Sequence, residues 1–322
     1  NHVASLEQAT RPIDNLNLKI HKTMDTQEQK IETLSLVIPC LNEDNVIAET
    51  IRKARSIFNS MNLKDYEIIV VDDGSIDQSA KLAFSEGAEV IRHPHNVGYG
   101  RSIKDGIYQA KFDTIIIADA DGTYPMEEIA KLIKEYGKGF DMVVGARTGT
   151  HYRESWSKEI LRYILKWLVE FTAGRSIPDI NSGLRVFSRT VSLQFFDRLC
   201  DTFSFTTGIT LAYMMTRKYV TYIPIPYKNR VGESKVRIFR DSLRTLQFIV
   251  EAILFYNPVK IFIVLCMFSL LFSLASFAVV YLFNFNMENG FFLAVVGVFI
   301  TLVIFSLGLL SILLSKNLLS NK

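Results

Sequence analysis

The sequence predicts an α/β domain with a mostly parallel sheet, followed by amphipathic helices and two transmembrane helices. From Leu34 to Val144, short apolar runs alternate with stretches of helical spacing, which is the pattern of a parallel sheet covered on both faces. Two long apolar runs, Ile261–Phe283 and Phe291–Ser315, follow without a charged side chain. About 20 such residues suffice to cross a bilayer as a helix, so their length disfavours the alternative of two buried helices in a soluble protein.

Each element of the sheet domain follows from its apolar spacing. Short apolar runs predict strands at Leu34–Pro39, Tyr66–Val71, Glu89–Ile91, Thr114–Ala118 and Met142–Val144. Helical spacing predicts helices at Asp44–Ser60, Gln78–Glu86, Tyr99–Ala110 and Glu127–Tyr136. Binding sites in such sheets lie at the carboxyl ends of the strands. The polar residues at these ends are Asn42, Glu43, Asp72, Asp73, Asp119 and Asp121.

Composition and charge limit the possible functions and the cellular compartment. The formal net charge is only +3 over 322 residues, so bulk charge does not indicate nucleic acid binding. Three cysteines without paired spacing indicate free thiols in a reducing compartment. Residues 1–33 are polar, which indicates a tail rather than a secretory signal. We therefore expect a sheet domain over residues 34–235, juxtamembrane helices over 236–258 and a two-helix hairpin over 259–316.

Charge around the two apolar runs predicts their orientation. Lys260 precedes the first run, and Lys316 and Lys322 follow the second. The connector, residues 284–290, contains Glu288 and neither Lys nor Arg. The positive-inside bias therefore predicts a multi-pass inner membrane protein with the sheet domain and both termini in the cytoplasm.

Two further segments are amphipathic. Trp156–Phe171 and Val236–Tyr256 mix aliphatic and aromatic residues with Lys and Arg. Such helices can lie in the headgroup region of a membrane, and the alternative is packing against the sheet. Two short spans are also compatible with a homo-oligomer.

The paired carboxylates Asp119 and Asp121 follow a buried strand directly. At i and i+2 they can both turn into one cleft, where they repel each other unless a cation is present. Hard oxygen ligands suit Mg²⁺ or Mn²⁺, which usually bind substrate phosphates as well. The alternative is an acidic turn, but the position after an apolar strand favours a metal site.

A second acidic pair, Asp72 and Asp73, precedes Gly74 and Ser75 at the end of another strand. A carboxylate there can accept from the N3–H of uracil or an amino group of guanine, and Glu43 can accept from ribose hydroxyls. Helix capping by Ser75 or Asp77 is the alternative, although capping does not need two aspartates.

Several motifs occur in order at these strand ends. They are Pro39-Cys40-Leu41-Asn42-Glu43, Val71-Asp72-Asp73-Gly74-Ser75, Asn96-Val97-Gly98 and Asp119-Ala120-Asp121-Gly122. Together they resemble family 2 glycosyltransferases, whose fold is the Rossmann-like GT-A fold. The motifs at 179–185 and 230–235 narrow the resemblance to dolichol-phosphate mannose synthases and bactoprenol glucosyltransferases. The resemblance covers Leu34 to Lys235, and the two spans that follow resemble the bacterial bactoprenol type.

The resemblance implies roles for individual residues. The implied nucleotide-binding residues are Pro39, Glu43, Val71, Asp73, Asp119 and Ala120. The implied metal ligands are Asp119 and Asp121, with Mg²⁺ or Mn²⁺ as cofactor. The implied catalytic residues are Asp121, Arg147, Arg230 and Lys235, of which the three cations are implied to face phosphates. The candidate acceptor-phosphate residues are Arg147, Arg153, Ser157 and Ser234, of which Arg153 and Ser157 can also be a solvated helix start.

Two residues depart from the family pattern. Leu41 replaces an aromatic residue often found two positions after the proline, and Thr123 stands where many members have Gln. A threonine hydroxyl still offers an oxygen near Asp121.

The segment Phe203–Gly208 contains no carboxylate, although members that glycosylate sugar hydroxyls usually carry a catalytic base near this place. A sugar hydroxyl needs a base, whereas a phosphate monoester is already anionic near neutral pH. The missing base therefore favours a polyprenyl phosphate acceptor.

We therefore predict inverting transfer of a hexose from a nucleotide-sugar to a polyprenyl phosphate such as undecaprenyl phosphate. The predicted donor is UDP-glucose, with GDP-mannose as the alternative. A non-catalytic membrane scaffold that binds nucleotide-sugar is the rival function, and transfer to a lipid hydroxyl is a further rival that the missing base disfavours.

Overall fold

The structure is a computed structural model, which describes residues 29–149, 156–228, 238–283 and 287–320. Its centre is a seven-stranded sheet with the order β3-β2-β1-β4-β6-β5-β7. The strands are β1 (Thr33–Cys40), β2 (Asp65–Asp72), β3 (Glu89–Arg92), β4 (Thr114–Ile117), β5 (Met142–Thr148), β6 (Arg185–Ser188) and β7 (Val220–Pro226). Only β6 runs antiparallel to its neighbours. The predicted mostly parallel α/β fold is thus confirmed, and all five predicted strands are present.

Helices follow most of the strands. They are α1 (Ile47–Ser60), α2 (Ser79–Ser85), α3 (Tyr99–Gln109), α4 (Ile129–Tyr136), α5 (Trp156–Ala173), α6 (Arg189–Leu193), α7 (Phe205–Met215), α8 (Ile238–Tyr256), α9 (Pro258–Leu282) and α10 (Met287–Ser320). The four helices predicted before β5 are all present, the last of them as a short 3₁₀ turn, Met126–Glu128, that leads into α4.

The register of the central strands places their carboxyl ends side by side. Cys40 of β1 lies opposite Asp72 of β2, and Val37 lies opposite Ile117 of β4. Separate hydrophobic cores cover the two faces of the sheet, one beneath α1 and α4 and the other beneath α3 and α7. The loops that carry the polar candidate residues therefore meet above one rigid edge.

Two cysteines in this domain are buried free thiols, as predicted. Cys40 lies at the end of β1 and Cys200 precedes α7. Burial raises the pKa of the Cys40 thiol to about 12, so this thiol stays protonated and unreactive.

The helices α9 and α10 are long and apolar enough to span a membrane. They pack against each other through small residues: Ser273 Oγ donates to the carbonyl of Ala294 at 3.1 Å, and a Cβ on Gly297 would clash with Ser273. Only 11% and 6% of their most apolar stretches are buried, so the pair leaves an apolar surface uncovered.

The hairpin is longer than predicted at both helices. The first helix begins at Pro258, because proline is favourable in the first turn. The second begins at Met287, so part of the predicted connector 284–290 is helical. Near the start of α9, Lys260 Nζ donates to the carbonyls of Phe171 (2.8 Å) and Thr172 (3.0 Å) at the end of α5, which ties α5 to the base of the hairpin.

Candidate active site

The loop after β1 is held against the loop after β2. Asn42 adopts a φ of 49°, a conformation that asparagine tolerates better than most residues, and its Oδ1 accepts from the backbone N–H of Ile76 at 2.9 Å. The backbone N–H of Glu43 donates to Ser79 Oγ at 2.7 Å. These bonds fix Glu43 at the edge of the sheet, where the sequence predicted a ribose contact.

Asp73 is buried and accepts several hydrogen bonds from the protein. The backbone N–H groups of Val97 (2.9 Å) and Gly98 (3.0 Å) donate to its two oxygens, and His93 Nδ1 lies 2.9 Å from Oδ1. The other ring nitrogen of His93 lies 3.1 Å from a carboxylate oxygen of Asp105. Asp73 therefore fixes the loop before α3, in addition to the nucleoside contact predicted for it.

Three other residues that were predicted to bind the nucleotide have buried side chains. Pro39 is buried within β1, and Val71 lies in the core beneath α3. Ala120 is buried, and its carbonyl accepts from Thr50 Oγ1 at 3.4 Å. Any contact of Val71 with a nucleoside thus falls to its main chain.

Asp119 is held from two sides. The hydroxyl of Tyr99 donates to Asp119 Oδ1 at 2.7 Å. On another side, a Cβ built on Gly183 would lie 2.5 Å from each carboxylate oxygen, so the carboxylate lies directly against the Gly183 main chain. Burial, followed by the nearby Asp119 charge, raises the pKa of Tyr99 well above its usual value, so the phenol remains a hydrogen-bond donor.

Asp121 is oriented by the residue that departs from the family pattern. Both the backbone N–H (3.1 Å) and the hydroxyl (2.6 Å) of Thr123 donate to Asp121 Oδ1. Gly122 between them has a φ of +70°, which lets the chain turn back sharply. Thr123 thus serves to hold the second carboxylate in place.

The carboxylates of Asp119 and Asp121 are suited to bind a divalent cation whose remaining ligands come from a substrate. Within the described ranges, no group of three or more His, Cys, Asp or Glu side chains is arranged to hold a metal on its own. Mg²⁺ is usually bound by one or two carboxylates together with substrate phosphates. Asp119 and Asp121 provide the two carboxylates. The residues present therefore suit a metal that binds together with a diphosphate.

Arg147, at the end of β5, forms a bidentate ion pair with buried Asp179. Its Nε lies 2.7 Å from Asp179 Oδ2 and its Nη2 lies 2.8 Å from Oδ1, and the Tyr227 ring lies beneath the guanidinium. The backbone N–H groups of Arg147 and Asn181 add two further donors to the same carboxylate. Burial by itself would raise the pKa of Asp179, but Arg147 outweighs it and lowers that pKa.

The loop from Asp179 to Gly183 is fixed along its length. Ser182 Oγ donates to the carbonyl of Gly145, and the backbone N–H of Gly183 donates to the hydroxyl of Tyr124 at 2.7 Å. Thr207 Oγ1, from α7, donates to Asn181 Oδ1 at 2.9 Å. These bonds therefore hold the loop in place where Gly183 lies against Asp119.

Arg185 supports the loop from below and is fully buried. Its guanidinium donates to the carbonyls of Ser182 (2.6 Å) and Thr206 (3.0 Å) and to Thr210 Oγ1 (3.0 Å). Burial lowers the pKa of Arg185. Since these acceptors are neutral oxygens, the charge contributes a positive field beneath the site.

Two predicted catalytic residues, Arg230 and Lys235, and two predicted acceptor residues, Arg153 and Ser234, lie outside the described residues, and so does the side chain of Ser157. Their roles stay predictions. Of the predicted phosphate-facing cations, the structure places Arg147 at the site edge.

The site also contains residues to which the sequence assigned no role. The motif at 179–185, which contributed to the family resemblance, contains Asp179, Gly183 and Arg185. The motif alone did not show that Gly183 lies against Asp119. Tyr99 follows Asn96-Val97-Gly98, and no pattern in the sequence indicates its bond to Asp119.

Known proteins resemble this chain in sequence and in fold. The sequence model of the family "Glycosyl transferase family 2" matches residues 35–196, just over half of the chain. The chain is 32% identical over 213 residues to an undecaprenyl-phosphate 4-deoxy-4-formamido-L-arabinose transferase of Pseudomonas fluorescens (strain Pf0-1), covering 64% of this chain and 60% of the relative. It is 30% identical over 223 residues to the transferase of the same name from Enterobacter sp. (strain 638), covering 67% and 66%. The matches thus span less than two thirds of the length of these relatives.

Solved structures extend the likeness to the fold. Glucosyl-3-phosphoglycerate synthase of Mycobacterium tuberculosis, in complex with phosphoglyceric acid, superposes with a TM-score of 0.56 at 18% identity, covering 69% of this chain and 80% of that one. The same enzyme with Mn²⁺, UDP and glucosyl-3-phosphoglycerate gives a TM-score of 0.54 at 18% identity, with the same coverage. At this identity the likeness shows the GT-A-like fold alone. From the family match over more than half of its length, the chain belongs to glycosyl transferase family 2.

Proposed function

We propose that this protein transfers a sugar from a nucleotide-sugar to a polyprenyl phosphate at the cytoplasmic face of the membrane. The observation that carries the proposal is the chemistry of the site: it has paired carboxylates for a metal-bound diphosphate, and among the residues that the structure describes we find no carboxylate there suited to act as a base. The relatives, which are named undecaprenyl-phosphate transferases, support it.

Asp179 is the described carboxylate that we consider as a general base, because it lies in the loop that contacts Asp119. Its two oxygens accept four hydrogen bonds, and Arg147 lowers its pKa. A group held this way is a weak proton acceptor, because protonation would break its ion pair. The segment Phe203–Gly208 offers no carboxylate in its place.

A phosphate acceptor avoids the need for a base. One of its anionic oxygens attacks the anomeric carbon, and the bond from that carbon to the diphosphate breaks with its electron pair on the leaving group. No proton has to move, and attack opposite the leaving group inverts the anomeric centre. A divalent metal held by Asp119 and Asp121 would offset charge on the leaving diphosphate. The chain's own residues orient these carboxylates, through Tyr99 and Thr123.

The relatives favour a different sugar from the one that the sequence predicted. They are named for 4-deoxy-4-formamido-L-arabinose, a modified pentose, whereas the resemblance of the sequence motifs predicted a hexose, glucose or mannose. We therefore propose the nucleotide-linked formamido-arabinose as the first donor to test, and UDP-glucose and GDP-mannose remain alternatives.

The apolar surface of the hairpin supports a membrane location. Phe272 is 76% exposed and Phe291 is 69% exposed, as expected of helices that face lipid rather than a protein core. Lys260 ties the base of the hairpin to α5, whose Tyr163 and Trp167 are exposed. Aromatic side chains of this kind favour the membrane interface, so α5 would place the sheet domain close to the lipid headgroups.

The decisive assay uses the full chain purified in detergent. Each radiolabelled donor is incubated with Mn²⁺ and either undecaprenyl phosphate or undecaprenol, which differs only in carrying a hydroxyl. We expect labelled lipid from undecaprenyl phosphate alone. Transfer to undecaprenol would support a hydroxyl acceptor, and donor binding without transfer to either lipid would support the scaffold alternative.

Two predicted phosphate-facing cations outside the described ranges, Arg230 and Lys235, give a first prediction. Arg230→Ala and Lys235→Ala should each lower turnover by about ten- to hundredfold, since a hydrogen bond to a charged group contributes roughly 1.5–3 kcal/mol. The assay uses detergent and a short-chain prenyl phosphate, which removes attraction to anionic lipid. Lys218→Ala, which removes a half-buried cation paired with Asp141, is the control and should retain full turnover. Near-wild-type turnover of both variants would refute the phosphate contact.

The orientation of the hairpin gives a second prediction. In a background without the three native cysteines, Asn289→Cys, near the exposed start of α10, should react with an impermeant thiol reagent added to intact cells. Ile76→Cys is the matched control: its site in the sheet domain is 93% exposed, and it should react only after lysis. The opposite labelling pattern would reverse the proposed orientation.

A further inference from the structure

Tyr99 lies between the two acidic sites that the sequence predicts to bind the donor. It is the first residue of α3 and directly follows the Val97-Gly98 main chain that donates to Asp73. Its own hydroxyl donates to Asp119 Oδ1 at 2.7 Å. A stretch of three residues thus contacts both the carboxylate predicted to hold the nucleoside and one predicted to hold the diphosphate and metal.

The Tyr99 ring is itself fixed in place. It stacks on Phe203, with ring centroids 5.3 Å apart and planes inclined by 17°. The segment before Phe203 is anchored to α3, because the backbone N–H of Arg101 donates to the carbonyl of Asp201 at 3.1 Å and Lys104 Nζ donates to Asp201 Oδ1 at 2.8 Å. The hydroxyl therefore points at Asp119 from a rigid support.

Asp119 has little room to turn away from this hydroxyl. The main chain of Gly183 lies against both carboxylate oxygens, and Gly183 is held by the hydroxyl of Tyr124. An ionised carboxylate only accepts hydrogen bonds, so Tyr99 must be the donor. The pair is thus a hydrogen bond to a charged acceptor, a stronger kind than one between neutral groups.

We propose that Tyr99 is a positioning residue that holds Asp119 in the orientation that binds a divalent cation together with the donor diphosphate. The proposal rests on the proposed function. It adds that the cation-dependent part of nucleotide binding, rather than nucleotide binding as a whole, depends on this hydroxyl. Loss of a charge-assisted hydrogen bond predicts a loss of about tenfold in that part.

The test is Tyr99→Phe in the detergent-purified full chain, since the change removes one oxygen and keeps the ring that stacks on Phe203. Affinities for UDP and for GDP are measured calorimetrically with MnCl₂ and with EDTA, and the nucleotide that the wild type binds more tightly is used throughout. Tyr108→Phe is the matched control, because it removes the hydroxyl of a 71% exposed tyrosine from the same helix.

We expect Tyr99→Phe to bind the nucleotide in EDTA as the wild type does, while the gain in affinity on adding MnCl₂ falls about tenfold. Tyr108→Phe should match the wild type in both conditions. An unchanged Mn²⁺-dependent gain in Tyr99→Phe would overturn the positioning role and leave the proposed function standing. Equal losses with and without Mn²⁺, with a lower melting temperature, would show a merely structural role and also overturn it. A wild type that shows no Mn²⁺-dependent gain would contradict the metal site itself.

Discussion

Asp121→Asn should remove nearly all sugar transfer by the purified protein, a loss of about a hundredfold or more. Asparagine keeps the size of the side chain and an oxygen that can accept from Thr123, so the local turn should survive. What it removes is the negative charge that, in the proposed mechanism, holds a divalent cation beside the leaving diphosphate. Loss of one preorganised electrostatic group typically costs about 10²–10³ in turnover. EDTA should have the same effect on the wild type.

Asp65→Asn is the matched control for Asp121→Asn. Asp65 is an exposed aspartate at the start of β2. It therefore lies at the amino end of the strand, whereas the site lies at the carboxyl ends of the strands. The control should retain full transfer, and both variants should melt within a few degrees of the wild type. Full transfer by Asp121→Asn, or by the wild type in EDTA, would show that the paired carboxylates act only in the structure.

The sequence was most informative where a structural rule repeats. Buried parallel strands are continuous apolar runs, so β1, β2 and β4 were predicted within a residue at each end. The candidate carboxylates were predicted for the same reason, because each follows one of these runs. The strand β6 was missed, since it begins with Arg185, a charged residue that patterns of hydrophobicity assign to the surface.

Contacts between distant segments could not be predicted from the sequence. Arg185 is buried because carbonyl groups of a loop and a helix converge on it, and that convergence exists only in the folded chain. In the same way, the bond from Tyr99 to Asp119 joins the start of α3 to the loop after β4. The strand β7 was missed for a more local reason, as its two prolines, Pro224 and Pro226, make it resemble a loop.

Gly183→Ala should lower transfer by about a hundredfold, although it adds only one methyl group. The added Cβ would lie 2.5 Å from both oxygens of Asp119, where ordinary contact begins at 3.4 Å, so the carboxylate or the loop has to move by roughly 1 Å. Neither has an easy direction in which to move, because Tyr99 holds Asp119 and Tyr124 holds Gly183. A misplacement of this size in a site that depends on orientation can cost about 10² in rate. Strain in the main chain is not the cause, since Gly183 is not among the glycines with positive φ.

Gly208→Ala separates this effect from a general intolerance of larger residues near the site. Gly208 lies in α7, and a Cβ there would meet only Leu199 Cδ2, at 3.0 Å, which is the end of a side chain that can rotate away. Alanine also favours the helix by roughly 1 kcal/mol over glycine, so this control should keep its activity and its melting temperature. In Gly183→Ala, the Mn²⁺-dependent gain in nucleotide affinity should fall together with transfer, because the displaced group is Asp119. If transfer falls while that gain is unchanged, the loop acts on the acceptor rather than on the carboxylate. If neither changes, the close approach of Gly183 to Asp119 has no part in catalysis.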